Sequence, residues 1–219
     1  MRVKICGITN LDDARTCVDA GADALGFIFV ENTPRFVTPD QVAPIVRRLP
    51  PFVTPVGIFW DHSAGHVKAI AEACGLRVLQ FHGDETPEDL EGYALPVIKT
   101  VKLPAVTGGG HARAESPDVE RFSKVTVAIL LDSAARWSEG EARDPLEWTM
   151  AASIVAQLSA KSTLPRVILS AGLTPDSVQR AISIVKPYAV DVNSGVEATP
   201  GRKDPAKVRR FIAAARAAA

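Results

Sequence analysis

Apolar residues fall along this chain in two alternating textures. Short runs rich in bulky and β-branched residues occur at VKIC (3–6), ALGFIFV (24–30), VGIFW (56–60) and VLQFH (78–82). The same texture returns at VIKTVKL (97–103), VAILLD (127–132), RVILS (166–170) and AVDVN (189–193). Runs this short, bounded by turn-forming residues, predict strands. Between them lie amphipathic stretches: LDDARTCVDAG, TPDQVAPIVRRL, SAGHVKAIAEACG, TPEDLEGY, SPDVERFS, DPLEWTMAASIVAQL, TPDSVQRAISIV and DPAKVRRFIAAARA. Several open on Ser, Thr, Asp or a Thr-Pro pair, which supply an N-cap oxygen and a pre-set first turn. The pattern predicts eight strands and eight helices in strict alternation.

Continuously apolar strands joined by helices make a parallel sheet covered on its helical side. Eight such units close into a single-domain (β/α)8 barrel spanning 1–219; an open doubly wound sheet is the alternative. An open sheet that binds a dinucleotide carries GxGxxG after its first strand. Here that place holds CGITN, which favours the barrel. The chain shows no linker, charge block or low-complexity tract. GGG at 108–110 reads as a flexible loop, and the closing ARAAA as a fraying helix end.

Composition narrows the classes further. Of 219 residues, 47% are hydrophobic and 23% charged, which suits a well-buried core and not a disordered chain. Lysine plus arginine equals aspartate plus glutamate at 25 each, so nothing points to a nucleic acid partner. The three cysteines, Cys6, Cys17 and Cys74, form no CxxC pair and no cysteine–histidine cluster. They read as reduced thiols of a cytoplasmic protein, with no metal site. The first segment turns polar at Thr9, and no apolar run nears the ~20 residues of a membrane span.

Barrels of this kind place their chemistry at the C-terminal ends of the strands. Strand one ends in Cys6-Gly7, and strand two runs into ENTPRFV with Arg35. Strand four ends in His82, strand six in Asp132, strand seven in Ser170-Ala171-Gly172, and strand eight in Asn193-Ser194-Gly195. The last two are small-residue turns that expose backbone N–H groups, and two in consecutive units suit a phosphate better than either does alone. Cys17 and Cys74 lie in helical patterns and read as small buried hydrophobes. Cys6 differs because it closes its strand at the rim, where a thiolate can act as a base. Asp132, after AILL, is either a loop carboxylate or an acid whose apolar setting keeps its proton. Arg35 either offers its planar fork to a substrate carboxylate or makes an ordinary surface ion pair. His82 reads equally as a satisfied rim histidine or as a substrate contact.

Taken in order, KICGIT, GFIFVENTPRFV, LQFHGDE, AILLDS, ILSAGLTPDSV and DVNSGVEATPGRKD resemble the successive motifs of the phosphoribosylanthranilate isomerase family of tryptophan biosynthesis. The likeness runs from residue 3 to residue 205. It implies a (β/α)8 barrel, a phosphosugar substrate, no cofactor, and an Amadori rearrangement of an aminoaldose to an aminoketose. By the same resemblance Cys6 matches the general base, Asp132 the general acid, and Arg35 the arginine beside the anthranilate moiety. Phosphate would rest on Ala171-Gly172 and Asn193-Ser194-Gly195. The assembly expected is a monomer or homodimer.

Two departures from the family pattern stand out. After Asp132 the family's glycine-rich run is replaced by SAARWSEGEARDPLEW, and the strand-seven turn carries Ala171 where the family has a second glycine. The first rival reading is a related phosphosugar barrel, the histidine-pathway aminoaldose isomerase. That family resembles this chain in fold but has aspartate at the strand-one end. The second rival is a non-catalytic ligand-binding barrel, prompted by the altered loop. Retention of Cys6, Arg35 and Asp132 together speaks against it.

Overall fold

A computed structural model describes residues 1–103, 118–133, 148–160, 165–170 and 172–218. Eight parallel strands pair in sequence order and close on themselves: β1 (Arg2–Ile5), β2 (Ala24–Ile28), β3 (Thr54–Phe59), β4 (Val78–Phe81), β5 (Val97–Leu103), β6 (Ala128–Ser133), β7 (Arg166–Leu169) and β8 (Ala189–Val192). The ring is sealed by β1 against β8, with Lys4 opposite Asp191 and Ile5 opposite Val192. The predicted parallel barrel is therefore the fold, and no sheet edge is left open in it.

Side chains alternate across each strand and so sort into two cores. Val3, Ile5, Phe27, Phe59, Phe81, Val190 and Val192 belong to the large cluster shared with the helices. Ile98, Ala128, Leu130, Ile168 and Ala189 fill the lower barrel interior, and Cys6, Ile28 and Ile58 pack together nearer the mouth. Between these apolar layers the interior holds charge: Lys4 Nζ lies 2.8 Å from Asp191 Oδ1.

The helices are α1 (Leu11–Asp19), α2 (Pro39–Val46), α3 (Ala64–Cys74), α4 (Pro87–Leu90), α5 (Trp148–Ala160), α6 (Val178–Val185) and α7 (Pro205–Ala217). Asn10, Ser63, Thr86 and Asp204 cap four of them through side-chain oxygens, the last three at starts that the sequence predicts. The predicted count of eight needs correction among the described residues. The fifth pattern, SPDVERFS, yields only a 3₁₀ turn at Glu120–Phe122. TPDSVQRAISIV starts its helix late, because Thr174 and Ser177 exchange hydrogen bonds of 2.9 Å and 3.2 Å in a turn of their own. The final ARAAA is helical as far as Ala217. GGG at 108–110 lies outside the described residues.

One feature has no counterpart in the predicted pattern. After β8, a 3₁₀ turn (Ser194–Val196) leads into a small antiparallel pair, β9 (Glu197–Thr199) and β10 (Arg202–Lys203). This hairpin stands beside the mouth of the barrel and carries two buried charges, Glu197 and Lys203. Among the described residues no helix is long and apolar enough to cross a membrane.

Candidate active site

Alternation along β1 turns Lys4 and Cys6 into the barrel, two residues apart on one face. Cys6 is 6% exposed and packs on Ile28 and Ile58. Its backbone N–H donates to the Val192 carbonyl at 2.8 Å, which ties the rim of β1 to that of β8. Room for the sulfur comes from Gly26 on β2, where an added Cβ would stand 2.8 Å from Cys6 Sγ. Burial pushes the thiol above its ordinary range; the cations of Lys4 and Lys203 pull it back, and Asp191 adds to the rise. Cys17 and Cys74 are buried in the helix-side cluster, as their sequence setting predicts.

The residue after the thiol is equally constrained. Gly7 has φ +73°, and a Cβ there would lie 2.5 Å from Asn193 Oδ1 and 2.9 Å from Arg35 Cδ. Glycine thus lets two rim side chains close over the Cys6–Gly7 turn. Arg35 is buried and gives its fork to the protein: Nε donates to Glu197 Oε1 at 2.9 Å and Nη2 to Glu197 Oε2 at 2.6 Å. The pair is not the ordinary surface ion pair that the sequence offers as the alternative, since it is buried and bidentate.

Lys203 completes the arrangement. Its ammonium donates to Glu197 Oε1 at 3.0 Å, to Asn193 Oδ1 at 3.1 Å and to the Asn193 carbonyl at 3.2 Å. Burial raises the Glu197 carboxyl, but Arg35 and Lys203 outweigh it and hold the group below the usual carboxylate range. Burial lowers the Lys203 ammonium even against that carboxylate. Arg35, Glu197, Lys203 and Asn193 form one chain of contacts around the turn that presents the thiol.

Asp132 closes the inner face of β6, two strands beyond β8 in the ring. It is 6% exposed, and His82 Nε2 from the end of β4 lies 3.2 Å from its Oδ2. The His82 ring stacks on Trp60 at 5.6 Å, and Lys102 Nζ lies 4.2 Å from the centre of the Trp60 ring. The structure therefore brings Asp132 and His82 together, and gives the carboxyl an imidazole neighbour that the sequence reading left unassigned.

The two small-residue turns also meet. Gly172 has φ +63°, a conformation that glycine adopts without strain. Gly195 packs so tightly on the Leu173 carbonyl that any Cβ there would collide with it. The ends of β7 and β8 are thus in contact, with Asn193 and Ser194 beside them. Ala171 lies outside the described residues, as does loop 134–147 with its departure from the family pattern. Among the described residues no three of His, Cys, Asp and Glu converge on a point that could hold a metal ion.

Five site residues escaped the sequence reading: Gly26, Glu197, Lys203 and the interior pair Lys4–Asp191. Each had a signal. Gly26 interrupts a bulky strand, which often marks a close approach. Lys4 and Asp191 are charges inside apolar strands, where a charge needs a partner. Glu197 and Lys203 sit within DVNSGVEATPGRKD, whose compact hairpin the polar pattern does not disclose.

This geometry defines a (β/α)8-barrel enzyme with its ionisable groups gathered at the C-terminal rim of the strands. The family model for N-(5'phosphoribosyl)anthranilate (PRA) isomerase matches residues 3–214. The N-(5'-phosphoribosyl)anthranilate isomerase of Pelobacter propionicus is 43% identical over 212 residues, covering 97% of this chain and 94% of its own. The crystal structure of phosphoribosyl anthranilate isomerase from Thermotoga maritima superposes with a TM-score of 0.85 at 35% identity, with 99% of each chain covered. A crystal structure of such an isomerase in complex with reduced 1-(o-carboxyphenylamino)-1-deoxyribulose 5-phosphate superposes with a TM-score of 0.80, again at 35% identity and 99% of each chain. The chain belongs to the phosphoribosylanthranilate isomerase family.

Proposed function

We propose that this chain, working as one (β/α)8 domain over residues 1–219, converts N-(5'-phosphoribosyl)anthranilate to 1-(2-carboxyphenylamino)-1-deoxyribulose 5-phosphate in tryptophan biosynthesis. The observation that carries the reading is the pairing of an inward thiol on β1 with an inward carboxyl on β6, either side of the two touching turns of β7 and β8.

The reaction divides between the two groups. Asp132 gives its proton to the furanose ring oxygen, the C1–O bond breaks, and the nitrogen lone pair forms a cationic imine at C1. That cation acidifies the neighbouring C2–H, and Cys6 as thiolate removes the C2 proton, leaving an enolamine. The enolamine gains a proton at C1 and loses the hydroxyl proton at C2, giving the ketone and restoring both groups. Two electrons move within the substrate, so the balance calls for no external oxidant or reductant. Burial keeps the resting thiol protonated, and the nearby cations together with the imine favour its ionised form when the base is needed. His82 Nε2, 3.2 Å from Asp132 Oδ2, gives the carboxyl a polar neighbour that fixes its orientation at the rim.

Phosphate is assigned to the N–H groups of Ala171-Gly172 and Asn193-Ser194-Gly195, and the anthranilate carboxylate to the outer edge of Arg35. Three cysteines, free where described, suit a reducing cytoplasm. The test is a turnover assay that follows loss of fluorescence of the phosphoribosylanthranilate adduct. Turnover by the purified chain, abolished in Cys6→Ser and in Asp132→Asn, is the expected result. An inactive chain that still binds the product analogue would favour the binding-barrel reading instead.

A further inference from the structure

The lysine beneath the thiol is the least economical residue in the barrel. Lys4 is 4% exposed and Asp191 3%, and both lie in the interior between apolar layers. A buried ion pair of this kind contributes little net stability, since apolar residues of similar size usually do as well. Its location is more telling. Lys4 is opposite Asp191 in the β1–β8 register, and its side chain shares the inner face of β1 with Cys6, two residues on. Asp191 is fully engaged: Oδ1 accepts from Lys4 Nζ at 2.8 Å and Oδ2 from Ser170 Oγ at 3.2 Å. The carboxylate therefore fixes the ammonium in place, and Ser170, at the end of β7, fixes the carboxylate.

We propose that Lys4, held by Asp191 and Ser170, is a positioning residue that supplies the internal counter-charge for the Cys6 thiolate. This rests on the reading of Cys6 as the base. Among the described residues the groups that face the thiol are few. Lys4 comes from its own strand, Asp191 from β8 and Lys203 from β10, while β2 and β3 contribute only Gly26, Ile28 and Ile58. Lys203 is already shared by Glu197 and Asn193. Lys4 is thus the cation whose influence on the sulfur is largest, and Asp191 is the brake on it. The Lys4 ammonium is itself held charged: burial would lower it, but Asp191 and Cys6 outweigh burial. A thiol in an apolar pocket can then ionise on demand without a permanent thiolate in the resting enzyme.

Two measurements test this, the pH dependence of kcat/KM and the titration of Cys6 followed by NMR of protein labelled with ¹³Cβ cysteine. Burial pushes the Cys74 and Cys17 thiols up to about 11 and about 12, and Cys6→Ser assigns the Cys6 signal. Lys4→Met should move the Cys6 titration and the kinetic limb upward together by about one pH unit or more. Asp191→Asn should move both downward. Lys4→Met/Asp191→Asn leaves no buried charge unpaired, so it guards against a single variant that fails to fold; it should shift both upward by less than Lys4→Met alone. An unchanged Cys6 titration in the folded double variant overturns the inference and leaves the base assignment standing, provided Cys6→Ser is inactive. Full activity in Cys6→Ser overturns the base assignment, and the inference with it.

Discussion

Cys6 is a nucleophilic atom type in an apolar setting, and its value at the site depends on a few tenths of an ångström of room. Gly26 provides that room, and Gly7 provides the turn that follows. Cys6→Ser is expected to lower kcat by ~10²–10⁴-fold with an unchanged circular dichroism spectrum, since a hydroxyl is a far poorer proton acceptor. Cys17→Ser and Cys74→Ser should retain turnover, because both thiols face the helix-side core and not the mouth. Gly26→Ala should cut kcat with little loss of fold, as the new methyl displaces the sulfur. Gly7→Ala should do more damage: positive φ alone costs about 1 kcal/mol or more, and the methyl also parts Asn193 from Arg35. Steady-state rates set beside urea midpoints separate the two cases.

At the scale of elements, the β9–β10 hairpin works as a clasp. Glu197 joins Arg35, which follows β2, to Lys203, which reaches back to Asn193 at the end of β8. Glu197→Gln strands two buried cations, so stability should fall by about 3 kcal/mol or more, with a raised KM as the rim loosens. The sign of the pH effect follows from the carboxyl being held below its usual range. Its stabilisation is present above the ordinary carboxylate pKa and is lost as pH falls through the lower folded value. Acid titration monitored by thermal unfolding should therefore show a steeper decline in the wild type than in Glu197→Gln. Gly195→Val, designed to block phosphate, must also push away the Leu173 carbonyl. A lowered melting temperature beside the weaker binding is expected.

The same scale explains what could be read in advance. Strands buried on both faces announce themselves as apolar runs, and Cys6 and Asp132 are visible because each ends one. Thr-Pro and Asp-Pro starts are visible because caps are local chemistry. The clasp is not, since Arg35 and Glu197 are 162 residues apart and an arginine in a loop reads as surface. The hairpin strands are three and two residues long, too short for any period to register. The late start of α6 hides in a Thr–Ser turn that competes with the helix for the same hydrogen bonds. The sequence does not decide His82, because its partner, Asp132, arrives from another strand of the ring.

For the molecule as a whole, stability should have an alkaline weakness as well as an acid one. Burial raises the Cys17 thiol to about 12 and the Cys74 thiol to about 11, from 9.0. A raised folded value means that the stabilisation is intact below pH 9 and is lost as pH rises toward 11 and 12. Chemical denaturation between pH 8 and pH 11 should show stability falling, and Cys17→Ala should flatten the fall even though it lowers the plateau by opening a cavity. A curve of unchanged slope would mean that the unfolded chain keeps these thiols sheltered.

The seam between β1 and β8 has a further consequence, in the order of synthesis. Lys4 and Asp191 are separated by 187 positions, and the clasp that frames Cys6 is later still, at Glu197 and Lys203. A ribosome thus makes the lysine beneath the thiol 187 residues before its partner, and the clasp later still. Until then the nascent sheet has two open edges and a lysine that cannot be buried for want of its partner. Premature stops before β8 should give insoluble, inactive fragments whatever fraction of the barrel they contain. Fragments that extend through α7, whose Val208, Phe211, Ile212 and Ala215 close the helix-side core, should recover solubility and activity together.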